Sequence, residues 1–160
     1  MRRLLLAGAV LAFPLAGLTV GLAGPASASV RNPSTGVSCT KVKGNIAGAN
    51  AKLKGCSDTK NTGGSGKAPI AALATGSGTI TWNGTGTTTL GSGTFNTVSP
   101  DACPTGSTEY EAMLTVTGGT GKAAKSILVG WTAQAFICVN NSTGAISLLS
   151  GTDFNIGAAF

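Results

Sequence analysis

The stretch Thr108–Val116, TEYEAMLTV, decides the fold. Its side chains sort by alternate positions: Tyr110, Ala112, Leu114 and Val116 on one side, Glu109, Glu111, Met113 and Thr115 on the other. A two-residue period marks a half-buried β-strand, because successive side chains leave the pleat on opposite faces. The same period recurs on both sides of this stretch. GTITWNG, Gly78–Gly84, sets Ile80 and Trp82 against Thr79, Thr81 and Asn83. GTTTLG and GTFNTVS read as two further strands divided by Gly91-Ser92-Gly93. SILVGWTAQAFIC, Ser126–Cys138, is apolar on both faces, with Ile127, Val129, Trp131, Ala133 and Ala135 on one and Leu128 and Phe136 on the other. That pattern predicts a strand in the middle of a sheet. AISLLSG and DFNIGAAF follow, the latter with Phe154, Ile156, Ala158 and Phe160 on one face of a terminal strand. Towards the other end, VSCTKVKGNI and NAKLKGC are predicted to form a hairpin.

No segment carries a sustained 3.6-residue period behind a helix cap. The expectation is therefore an all-β, single-domain β-sandwich or small closed barrel of about eight to ten short strands. Alternation does not choose between sandwich and barrel. Ser57–Ala68, rich in Gly and Lys, is expected to be a mobile polar loop.

The chain opens with Arg2 and Arg3, an apolar run over Leu4–Ala23, and the small-x-small triplet Ala26-Ser27-Ala28. This order predicts a signal peptide over residues 1–28, cleaved after Ala28, and an exported domain over residues 29–160. An uncleaved membrane anchor is the competing reading; Pro14 inside the run and the Ala26/Ala28 pair favour cleavage. The arginine pair is not read as a twin-arginine signal, and no Cys stands at the cleavage point for lipid attachment. The expected location is secreted or cell envelope, with no membrane span after cleavage. The whole chain carries +6, and loss of the leader's two arginines leaves +4.

Charged residues are scarce at 10%, while Gly, Thr, Ser and Ala abound. Such a surface suits strands with Thr outward and Gly turns. The lysines look dispersed: Lys41, Lys43, Lys52, Lys54, Lys60 and Lys67 in the first half, Lys122 and Lys125 in one later loop. Without clustered Arg or interleaved aromatics, nucleic acid is not expected as a partner. A weak attraction to anionic envelope polymers stands beside the plain reading of solvated lysines.

Four cysteines in an exported chain read as two disulfides. Of the three connectivities, Cys39–Cys56 and Cys103–Cys138 are preferred, because each pair flanks neighbouring strand candidates. The chain contains no His and no Cys-x-x-Cys, so neither a metal site nor any other cofactor is expected.

Two heptapeptides nearly coincide: TGGSGKA at Thr62–Ala68 and TGGTGKA at Thr117–Ala123. A phosphate loop needs G-x-x-x-x-G-K-[ST]. Here Asn61 and Val116 hold the first glycine position, and Ala68 and Ala123 follow the lysines. Both copies lack the turn glycine and the hydroxyl for magnesium, so each is read as a Gly-Gly turn with positive φ. Duplication is rejected: at the offset of 55 residues, Cys39 falls on Thr94, Cys138 on Asn83 and Trp131 on Gly76.

Absence of His excludes Ser–His–Asp and Cys–His catalysis, and no supported S-x-x-K motif is present. Glu109 and Glu111 sit about 7 Å apart along one strand face. They are expected as two charges on a wet face rather than a glycosidase pair. Trp82, Tyr110 and Trp131 can stack on sugars but are expected in the core, since they share positions with Ile and Val. An outer-membrane barrel is disfavoured by the lack of aromatic girdles and by short, Gly-broken strands.

The Arg-led leader, SCTKVKG, LKGC, a Gly-rich loop, TITWNGTGTTT and a late cysteine together resemble small secreted actinobacterial proteins of the mycobacterial type, over most of the mature chain. The resemblance carries no catalytic residue across. Enediyne-binding apoproteins of actinobacteria are similar in composition and implied two-disulfide sandwich, though the cysteine loops here are wider. The leading expectation is a non-catalytic secreted or envelope-associated domain that binds or scaffolds an envelope polymer or extracellular protein. The alternative is a carrier of a small apolar ligand; a hydrolase using Glu109 or Asp153 ranks last.

Overall fold

The computed structural model describes residues 36–158. The signal peptide of residues 1–28, with Ala26 and Ala28, and the terminal Phe160 lie outside the described residues. Among the described residues there are nine strands: β1 Val37–Asn45, β2 Asn50–Cys56, β3 Ser65–Pro69, β4 Gly78–Trp82, β5 Gly86–Thr97, β6 Ser107–Gly121, β7 Thr132–Asn140, β8 Ala145–Leu148 and β9 Phe154–Gly157. Single helical turns interrupt them at α1 Thr59–Thr62 and α2 Ala71–Thr75, with a 3-10 turn at Ala123–Lys125.

Each strand pairs antiparallel with the next from β1 to β7. β8 and β9 then close the circle. Both pair with β7 on one side and β1 on the other, β8 through Ala145–Ser147 against β1 and β9 through Phe154–Ile156. They form one stave of the wall, interrupted by the loop Leu149–Asp153. The result is a closed eight-stave antiparallel barrel, so of the two expected architectures the barrel is the one formed. Closure gives each strand among the described residues a neighbour on both sides, which protects its edges from pairing with another chain.

Because neighbouring staves run in opposite directions, connections alternate between the two ends of the barrel. α2 and the loop Val98–Gly106 belong to one end, α1 and the 3-10 turn to the other. Inside lie Leu53, Ile80, Leu90, Ala112, Leu114, Ala133 and Ile137, all buried. Trp82 is also buried, and its indole N–H donates to the buried Thr88 hydroxyl at 2.8 Å, which pairs two polar groups in an apolar interior. The disulfides are Cys39–Cys56 and Cys103–Cys138, as the strand neighbours predicted. The first staples the β1–β2 hairpin across a register pair, and the second ties the β5–β6 loop to β7. On loop-closure grounds each contributes about 3–4 kcal/mol.

Four elements differ from the sequence reading. GTTTLG and GTFNTVS are one continuous strand, β5. Gly91-Ser92-Gly93 is a bulge in it, with Ser92 at φ 42° and the register against β6 slipping there. Pairing with β6 on both sides of the bulge keeps the chain extended where a turn was expected. Ser126–Trp131 is not strand: β7 starts only at Thr132, and Leu128 and Val129 face solvent. Ser57–Ala68 is not simply a loop, since it contains α1 and most of β3, held between β2 and β4. Finally, the Gly-Gly pairs differ: Gly63 and Gly64 make the expected positive-φ turn, whereas Gly118 and Gly119 lie inside β6 opposite Thr89 and Thr88.

Candidate functional site: a lysine face on the barrel

The period of two that buries Val42 and Leu53 turns Lys41, Lys43, Lys52 and Lys54 outward. Antiparallel register then sets like opposite like: Lys41 against Lys54, Lys43 against Lys52, and Lys52 against Lys67 of β3. All five are exposed. Five of the chain's eight lysines thus share three adjacent staves. Neighbours stand ~4.8 Å apart across the strands and ~6.8 Å apart along them. Strands β1 to β5 contain no acidic residue. Directly opposed like charges destabilise a sheet by a few tenths to about 1 kcal/mol per pair. A groove of about 420 Å3 runs along this face, lined by Lys52, Lys54 and Lys67 together with Ser65, Thr81 and Asn83. Ammonium heads on flexible stems beside hydroxyl and amide groups make a surface for anionic groups; its lining holds no Arg, and its one aromatic side chain, Trp82, is buried, so it offers no exposed stacking platform for bases.

The lysines look dispersed only in linear order; strand pairing assembles them. A signal was present: a hairpin registered on Cys39–Cys56 forces Lys41 onto Lys54 and Lys43 onto Lys52. Only Lys67 required β3, which the sequence reading had placed in a loop.

The acidic candidates are placed differently from one another. Glu109 and Glu111 share the outer face of β6, but Glu109 is only 3% exposed, not a charge on a wet surface. The β5–β6 loop, pinned by Cys103–Cys138, covers it. Its Oε2 accepts the Ala102 N–H at 2.8 Å, and Asp101 in turn accepts the N–H groups of Cys103 and Glu109. Asp101, Cys103 and Glu109 form a close group, but the Cys103 sulfur is held in the disulfide and the carboxylates are engaged by backbone. Glu111 is half-buried and accepts from Gln134 Nε2 at 2.7 Å. Asp153 lies before β9 and accepts from the Ser38 hydroxyl at 2.6 Å. The stave of β6 and the stave of β9 are separated by β7, so Glu109 and Asp153 hold separate pieces of the wall.

Of the aromatic candidates, Trp82 is core, and Tyr110 is half-buried and stacks on Phe95 with centroids 4.5 Å apart. Trp131 is half-buried in the loop before β7 rather than in a strand.

The barrel interior leaves about 70 Å3 unfilled. All nine strands line it, with apolar side chains alone, and six of the lining residues are alanines: Ala51, Ala68, Ala72, Ala112, Ala133 and Ala135. An eight-stave barrel is just wide enough for side chains to fill, so small residues leave a void. α2 covers it with Ala72 and Leu73.

Comparison of the chain with protein-family models, with curated proteins and with solved structures finds no match. Among the described residues, no helix is long and apolar enough to cross a membrane.

Proposed function

We propose that this is a non-catalytic, secreted or envelope-associated barrel module that binds a linear anionic polymer of the cell envelope through the lysine face. The observation that carries the reading is the register Lys43–Lys52–Lys67, with Lys41–Lys54 beside it, along a groove. A sheet that sets like charges directly opposite one another gives up stability, and a polyanion lying across the row relieves that repulsion. Two disulfides support an oxidising environment outside the cytoplasm. The carrier alternative draws on the apolar interior. At about 70 Å3 that space is small beside the ~300–1,000 Å3 of most ligand pockets, which gives the polymer reading precedence.

The test uses linear polyphosphate as the probe, titrated at low and high salt against wild type and a Lys43→Ser/Lys52→Ser/Lys67→Ser variant. With roughly 1 kcal/mol per lysine at an anionic surface, the variant is expected to bind about 100-fold more weakly, and wild-type affinity to fall steeply with salt. Equal binding by the variant overturns the proposal. Equal or tighter binding of single-stranded DNA overturns the choice of an envelope polymer.

A further inference from the structure

At the end of the barrel that holds α1, the β6–β7 connection does something the lysine face does not explain. Its apolar residues divide into two sets. Ala123 and Ile127 are buried, while Leu128 and Val129 are 51% and 70% exposed. The tip is not loose. Gly130 N–H donates to Val116 O at 2.8 Å, and Val116 N–H donates to Trp131 O at 2.7 Å, so the chain beyond Val129 is locked onto β6. On the other side, Lys122 N–H donates to Thr85 O at 2.7 Å and Ile127 N–H to Ala123 O at 3.0 Å. Gly130, at φ 88°, makes the sharp bend that projects the two aliphatic side chains outward. Lys122 and Lys125 are exposed on the same loop, half-buried Trp131 follows the tip, and no acidic residue occurs between Val116 and Thr132.

We infer that this loop seats the barrel on an anionic lipid bilayer, with Leu128 and Val129 entering the boundary between headgroups and acyl chains. Lys122 and Lys125 then meet the lipid phosphates, and Trp131 lies at headgroup depth, where an amphipathic ring is favoured. Charge selects the occupant. Two exposed aliphatic side chains on a loop that also carries two exposed lysines and no acid match an anionic lipid surface. They are too little apolar area for a stable dimer, which needs roughly 800 Å2 per partner. An anionic polymer has no acyl layer to receive them. The site is separate from the lysine face of β1–β3, so either can fail without the other.

The experiment adds the exported chain, residues 29–160, to vesicles of phosphatidylglycerol and phosphatidylcholine in equal parts and follows tryptophan emission. Trp82 is already buried, so a shift reports Trp131. A blue shift, and quenching by brominated lipid, are expected in wild type and are lost in Trp131→Phe. Leu128→Ser/Val129→Ser, both at exposed positions that leave the barrel intact, is expected to weaken partitioning roughly 30-fold. Lys122→Ser/Lys125→Ser, or replacement by neutral vesicles, is expected to weaken it about 25-fold. Polyphosphate binding should be unaffected by Leu128→Ser/Val129→Ser. No emission change on anionic vesicles overturns the inference, as does a Leu128→Ser/Val129→Ser variant that partitions like wild type. A change in oligomeric mass in that variant without a change in partitioning overturns it in favour of self-association.

Discussion

TGGSGKA at Thr62–Ala68 and TGGTGKA at Thr117–Ala123 differ at one residue and adopt different structures. In the first, Thr62 closes α1, Gly63 and Gly64 turn with φ of 64° and 71°, and Ser65–Ala68 runs into β3. In the second, Thr117–Gly121 is still strand, only Gly121 has positive φ at 66°, and Ala123 opens the 3-10 turn. The lysines part company as well. Lys67 joins the lysine face, while Lys122 belongs to the loop that carries Leu128 and Val129. Two glycines permit a turn without requiring one. What precedes them decides: the first pair leaves a helical turn that must reverse into the wall, and the second sits on β6 with β5 already alongside.

That difference can be tested by giving each glycine a Cβ and measuring stability by denaturant unfolding with the disulfides intact. Gly63→Ala should have the largest effect, a loss of about 3 kcal/mol, since it combines a left-handed backbone with a collision against the Asn83 carbonyl. Its counterpart Gly118→Ala should go the other way, with a gain of about 0.5 kcal/mol. The nearest atom to that Cβ is 3.9 Å away, and Ala is better than Gly in a strand. A loss at Gly118 as large as that at Gly63 would mean the second copy is a turn after all. At the next position the order reverses. Gly119→Ala should cost about 2 kcal/mol, because its Cβ would stand 2.6 Å from Thr87 O across the sheet. Gly64→Ala should cost about half that, from the left-handed backbone alone, with no atom nearer than 3.5 Å. An effect as small as that at Gly118 is expected on the lysine face: Lys52→Thr removes two opposed like-charge contacts and should add about 0.5 kcal/mol, an increment that shrinks in high salt.

Much of the wall was legible because it follows from period two. Ile80 and Trp82, and Ala112, Leu114 and Val116, point inward where alternation sets them. The cysteine pairing was favoured, though not fixed, for a related reason, since each pair flanks strand candidates that are neighbours in sequence. Three features were not. The β5 bulge at Ser92 looks like a turn, because Gly-Ser-Gly serves either purpose until the partner strand is known. The apolar run before Thr132 looks like buried strand, because hydrophobicity does not distinguish an inward residue from one projected on a fixed loop. Glu109 looks like a surface charge, because its cover, Ala102 and the Cys103–Cys138 bridge, arrives from a loop that alternation does not describe.

The sequence by itself determined an all-β domain and which side of each regular strand meets the core, and it favoured the two bridges without fixing them; the first two depend on residues close in the chain or on a fixed period. Tertiary structure alone decided that the sheet closes, that β8 and β9 share one stave, and that Lys67 completes the row begun by Lys43 and Lys52. It also decided that identical Gly-Gly pairs serve as turn in one place and strand in another. Those outcomes depend on register between strands distant in sequence, which the backbone leaves open until every hydrogen-bonding edge has found its partner.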